Sequence, residues 1–200
     1  MNVAKYVTGN VKSLATPLQA KKDKREILFN TMEIKNLYIQ SVLNNKVATI
    51  VDNRRRYESV SHAFINPGLR WIHVSIFHDL ECSLDFSRYL GNGQSLRHKT
   101  TIVPKGRGPF NSFEEGAIDA IKIQGLNKIQ DWSIGGTLYT IEGFNGYGYD
   151  KYHNMNSPYL WSGTQHYVKG KYDKDGHFNP YLVSSQIGAA LLLRELLKVD

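Results

Sequence analysis

The sequence predicts a mostly α fold of the α+β kind, a helical domain interrupted by one long loop or small β-hairpin. Three observations carry that expectation. Apolar residues recur at helical spacing over several stretches. Ser112-Phe113-Glu114-Glu115 has the form of a capping box, and glycine and proline crowd the interval from Gly91 to Pro109. With 200 residues, 41% of them hydrophobic, the chain can bury one core of ordinary size. Its 22% charged residues exclude a charge-driven disordered chain.

In chain order, residues 1–30 mix Thr, Gly, Lys and Ala without sustained periodicity and read as an N-terminal arm or extension on a main body, 31–200. Ile34, Leu37, Tyr38, Val42, Val47, Ile50 and Val51 fit one long helix, or two joined near Asn44-Asn45, between Met32 and Phe64. Asn66-Pro67-Gly68 is a turn. Trp71, Ile72, Ser75, Ile76, Leu80 and Leu84 then trace a helix carrying Glu81. A long loop or small hairpin follows from Tyr89 to Phe110. The Ser112 capping box opens a helix to about Ile123, and another runs from near Ser133 to Gly143. Asn179-Pro180 offers a cap and a pre-set proline for a last helix, Pro180 to Leu197.

Glu81 is the residue with the clearest chemical potential. A carboxyl on an otherwise apolar helix, at the edge of a glycine-rich loop, is open to a desolvation-raised pKa and so to general-acid chemistry near neutral pH. Two further stretches suit ligand contact. Phe144-Asn145-Gly146-Tyr147-Gly148-Tyr149 follows a predicted helix, and Asn156 to Tyr167 interleaves aromatic rings with Ser, Thr, Gln and His. Aromatic faces cover the apolar side of a sugar ring while amides and hydroxyls bind its rim. The same surface could stack unpaired bases, and Tyr159 and Trp161 alone read equally as core residues.

The net charge of +7 favours an anionic partner such as nucleic acid, anionic lipid or an acidic cell-wall polymer. The clusters Lys21-Lys22-Asp23-Lys24-Arg25 and Arg54-Arg55-Arg56 also read as solvated helix faces. The one cysteine, Cys82, excludes an internal disulfide framework. The first residues lack the apolar core of a secretory signal, and no run approaches the roughly 18 apolar residues of a membrane span. The expectation is synthesis in a cytoplasm with delivery by another system.

His78-x-x-Glu81-Cys82-x-x-x-Phe86, Leu90-Gly91-Asn92-Gly93-Gln94, Thr100-Thr101-x-Val103-Pro104-Lys105-Gly106-Arg107-Gly108-Pro109-Phe110, Ser112-Phe113-Glu114, Gly116 to Ala120, Phe144 to Tyr149 and Ser157-Pro158-Tyr159-Leu160-Trp161-Ser162 stand in one order along the chain. Together they resemble phage and bacterial lysozyme-like endolysins, relatives of goose-type lysozymes and lytic transglycosylases, from about residue 32 to the end. Those relatives usually have Ser after the glutamate, where this chain has Cys82. The resemblance implies a lysozyme-like catalytic domain over 31–200 that cleaves the β-1,4 bond between N-acetylmuramic acid and N-acetylglucosamine in peptidoglycan. It implies a monomer without metal or organic cofactor, acting on the bacterial cell wall without nucleic acid or membrane insertion.

In that mechanism Glu81 protonates the leaving glycosidic oxygen. Candidate second carboxylates are Asp85, Glu114, Asp119 and Glu142. Glu114, at a helix start, reads as a base or as a simple dipole partner, Asp119 and Glu142 read as structural, and none wins clearly. Thr100 or Thr101 could position a water. Asn92, Asn145, Tyr149, Ser157, Tyr159, Trp161, Thr164 and His166 are the expected substrate contacts, in a cleft between the Glu81 helix with its loop and the Asn145–Tyr167 segment. The scattered histidines do not give a zinc spacing. His78 and Cys82, one turn apart, leave a thiol nucleophile as a minor alternative. A lytic transglycosylase, a non-catalytic glycan-binding module and a basic nucleic-acid binder remain as other readings.

Overall fold

A computed structural model describes residues 16–174 and 176–200. Among them are nine α-helices: α1 (Pro17–Thr31), α2 (Leu37–Asp52), α3 (Arg54–Ser61), α4 (Trp71–Cys82), α5 (Phe113–Ile123), α6 (Ile134–Asn145), α7 (Gly148–His153), α8 (Pro158–Trp161) and α9 (Ala189–Leu197). A two-stranded antiparallel sheet, β1 (Lys171–Lys174) and β2 (His177–Asn179), stands between α8 and α9. The mostly α fold with a small hairpin is therefore the fold of the molecule. The hairpin, however, stands late in the chain and not directly after Glu81. The segment after Glu81 is an irregular loop whose one ladder contact is the bridge between Arg88 and Ser95.

The helix at the centre is α4. Eleven of its 12 residues are buried, and Glu81 is the exception. A helix apolar on all sides must be surrounded. Neighbours α3 and α9 pack on it, and Ala189 to Leu193 with Leu196 place the buried face of α9 in the same core. Of its internal polar groups, Ser75 donates to the Ile72 carbonyl at 2.9 Å and the Tyr57 hydroxyl meets His78 Nδ1 at 2.9 Å, while His78 Nε2 and Asp79 Oδ2 have no hydrogen-bond partner among the described residues. Asp79, also buried, pairs with Lys46 of α2.

Several sequence expectations shift. Part of the expected arm is the regular helix α1, packed along α6, while residues 1–15 lie outside the described residues. The Thr16 side chain accepts from the Gln19 amide, and Pro17 fills the first turn. Arg25 and Glu142, both buried, form the ion pair that joins α1 to α6. The break between α2 and α3 falls at Asn53 rather than at Asn44-Asn45. Buried Leu43 and Ile50 hold α2 on the core across those asparagines. The capping box at Ser112 is half made. Ser112 Oγ accepts from the Glu115 amide at 3.1 Å, but the Glu115 carboxylate turns to the Asn111 amide at 2.8 Å. Asn179-Pro180 does not open the last helix. Asn179 Oδ1 accepts from the Tyr181 amide at 3.0 Å in a side-chain turn that ends β2, and α9 begins nine residues later.

Candidate functional site

Glu81 stands at the last turn of α4, half-buried, where the helix stops at once. Ser83 and Leu84 both adopt left-handed backbone, with φ of 52° and 61°. Such non-glycine residues are held there by their surroundings and concentrate near functional sites. The chain then returns beneath the helix end. Gly93, at φ +71°, lies so close that a Cβ would stand 3.0 Å from the Glu81 carbonyl oxygen, a position only glycine takes without strain.

The Glu81 carboxyl accepts a hydrogen bond from the Tyr159 hydroxyl. Burial pushes its pKa up and the tyrosine bond pulls it partly back, with no charged neighbour contributing. Burial and the adjacent carboxylate in turn hold Tyr159 protonated well above its usual range. Tyr159 is aimed by α8, whose first turn is fixed by Ser157 and Pro158. Gln186 Nε2 donates to the Leu80 carbonyl at 3.0 Å, tying the segment before α9 to the same helix end.

The loop beyond Gly93 is organised by side chains. Gln94 Oε1 accepts from the amides of Thr101 at 2.7 Å and Ile102 at 3.2 Å, and its Nε2 donates to Thr101 Oγ1 at 2.9 Å. Asn92 Nδ2 donates to the Ile102 carbonyl at 3.1 Å. Buried Thr100 bonds the Pro104 carbonyl and accepts from the Arg107 amide at 3.0 Å. Asn92 and Thr101 thus shape the loop that abuts Glu81.

Other expected site residues are placed elsewhere. Tyr149, Ser157, Trp161 and Thr164 are buried and serve the fold. Tyr149 accepts from the Tyr172 amide at 3.1 Å, Ser157 caps α8, and Thr164 donates to the Trp161 carbonyl at 2.8 Å. His166 Nε2 lies 3.0 Å from the Leu28 carbonyl and joins this segment to α1. Asn145 is exposed at the end of α6. Of the eight expected contacts, Tyr159 is the one bonded to Glu81. The interleaving of polar and aromatic residues arose because buried turns need internal hydrogen bonds as much as a sugar does.

Each candidate second carboxylate has a cationic partner. Glu114 is bound by Arg56, with Nε to Oε1 at 2.6 Å, and its pKa is lowered. Asp85 is bound by Arg88 at 2.9 Å, Asp119 by Arg107 and Glu142 by Arg25. Glu114 is therefore a strut between α3 and α5 rather than a free base. Burial pushes the Cys82 thiol up to about 12, with Glu81 adding to the effect, so it is no ready nucleophile. Among the described residues no three His, Cys, Asp or Glu side chains gather as a metal site, and no helix is long and apolar enough to cross a membrane.

A groove of about 730 Å³ runs beside α6, lined by Tyr139, Tyr147, Phe144, Leu126, Gln124 and Gln130 among others. Tyr139 and Tyr147 stack with centroids 4.7 Å apart. Phe144 packs on Phe77, four residues before Glu81, at 4.3 Å, which ties the groove wall to α4. Gln94 stands inside the Leu90–Gln94 block of the sequence, whereas Gln124, Gln130 and Gln186 carry no local signal. Comparison of the chain with known families, with curated proteins and with solved structures found no match.

Proposed function

We propose that the protein cleaves the β-1,4 bond of peptidoglycan glycan strands with Glu81 as general acid. One observation carries the reading: the sole residue of α4 that is not buried is a carboxyl of raised pKa, bonded by Tyr159 and backed by a glycine turn. A carboxyl whose pKa burial has raised keeps its proton to higher pH than an ordinary glutamate and can deliver it to the glycosidic oxygen as the C–O bond breaks. The Tyr159 hydroxyl then donates to the carboxylate left behind. The groove beside α6 is not lined by Glu81 itself, but its aromatic rings and amides suit sugar rings and its wall reaches α4 through Phe144. The net charge of +7 suits the carboxylates of the peptide stems.

A second reading, lytic transglycosylase, is favoured by the ion pairs at Asp85, Glu114, Asp119 and Glu142. With all four of these carboxylates paired, the substrate's own acetamide and 6-hydroxyl can complete the reaction. The 6-oxygen then bonds to the anomeric carbon, and its proton passes to Glu81. Glu81→Gln is expected to abolish release of soluble fragments from purified peptidoglycan while leaving the circular dichroism spectrum unchanged. Undiminished release sinks the assignment. Mass spectrometry of the wild-type products distinguishes reducing ends, from hydrolysis, from 1,6-anhydro ends, from transglycosylation. Retention on cell walls without any release of fragments makes the protein a glycan-binding module instead.

A further inference from the structure

From Phe86 to Phe113 the chain contains five cations, Arg88, Arg97, Lys99, Lys105 and Arg107, and no Asp or Glu. Two of the five are neutralised from outside, Arg88 by Asp85 and Arg107 by Asp119. Arg97, Lys99 and Lys105 are exposed, and none forms an ion pair with a described residue. Ile102 and Val103 stand between them, 53% and 79% exposed. Such apolar exposure next to three unneutralised charges is not a requirement of folding.

The segment is nevertheless built rather than loose. The Thr100 amide donates to the Arg107 carbonyl at 2.9 Å, the Gly106 amide to the Thr100 carbonyl at 2.8 Å, and Gln94 clamps the amides of Thr101 and Ile102. Through Gln94 and Gly93 it is fastened to the turn that packs on the Glu81 carbonyl. A charged surface fixed before binding loses little entropy when it meets its ligand.

We propose that residues 97–107 form a cationic rim that binds the carboxylates of the peptide stems flanking the scissile glycan bond. Ile102 and Val103 cover the apolar part of the same stems. This rests on the peptidoglycan reading above and adds a specificity to it, for anionic strands over neutral ones.

The test uses Glu81→Gln protein, so that binding is read without turnover, and insoluble cell walls stripped of phosphate polymers. Half of the walls have their carboxylates amidated. The triple variant Arg97→Gln/Lys99→Gln/Lys105→Gln, checked for an unchanged melting curve, is compared in the same background. Three exposed charge pairs together support about a tenfold difference. The expectation is about tenfold weaker retention of the triple variant on native walls. Amidation is expected to weaken the parent by a similar factor and to leave the triple variant nearly unmoved. Equal loss on native and amidated walls, or no loss on either, overturns the proposal. Loss confined to anionic lipid vesicles also overturns it and makes the rim a membrane-facing element. Wild-type protein that binds native walls through the rim yet cleaves nothing defeats the peptidoglycan-cleavage reading while leaving the rim intact.

Discussion

At the residue scale, the proposed chemistry rests on one carboxyl and the groups that set its proton affinity. Tyr159→Phe removes the hydrogen bond that lowers the Glu81 pKa. Activity that needs protonated Glu81 is lost as pH rises through that pKa, so the alkaline limb of the pH–rate profile should move upward in this variant. A limb that stays in place separates Tyr159 from the reaction. Ser83 supplies a second test. Its side chain is exposed and its φ is 52°, so Ser83→Gly should stabilise the fold by about 1 kcal/mol in urea titration. Glu81 was legible because an acid interrupts a run that is otherwise apolar on every side. Its tyrosine partner, 78 positions away, stood in the sequence as one of eight equivalent-looking contacts, because burial is what separates Tyr159 from Trp161 and Thr164.

At the element scale, α1 shows how tertiary pairing makes a helix that periodicity does not announce. The Arg25 Nε donates to Glu142 Oε2 at 2.7 Å, and both side chains are almost wholly buried. Arg25→Ala leaves an uncompensated buried carboxyl and should cost roughly 3–5 kcal/mol, read from the urea midpoint. Arg25→Met with Glu142→Leu should recover most of that loss, since a buried pair is often matched by apolar packing. Two cap signals of similar form also parted ways. Thr16-Pro17 opens α1 because Leu28, Phe29 and Arg25 further along find a surface on the core. Asn179-Pro180 closes a strand because the segment after it passes over the surface to Gly188. The break at Asn53 and the persistence of α2 through Asn44-Asn45 likewise follow from which residues meet the core.

At the scale of the whole molecule, two sets of carboxyls have opposite pH dependence. Glu114, Asp119 and Asp131 have lowered pKa values, Asp131 about 2. Their contribution is present above the ordinary carboxyl value and is lost as pH falls through the folded-state values. Stability should therefore fall as pH is lowered from 4.5 toward about 2. Glu81, Asp79 and Glu142 have pKa values raised by burial. Their contribution is present at low pH and is lost as pH rises through the folded-state values. Glu81→Gln, which removes one of these penalties, should be more stable than wild type at pH 8 and equal to it near pH 4, as melting curves can show. A variant less stable at pH 8 would mean that the Tyr159 bond outweighs the desolvation of Glu81.

The sequence by itself determined the mostly α class, the helix from Trp71 with its out-of-place acid, the helix behind Ser112 and the glycine- and proline-rich break between them. These follow from periodicity, caps and glycine-proline content, which are properties of neighbouring residues. Tertiary structure decided the remainder. It ended the first helix at Cys82, short of Leu84, and made the break a loop and not a hairpin. It also turned Glu114 into the partner of Arg56, placed Tyr149, Ser157, Trp161 and Thr164 inside, and brought Tyr159 to Glu81 and Gly93 beneath it. Those outcomes depend on which distant surfaces share the core and on which charges lie within reach of one another. Local pattern contains neither.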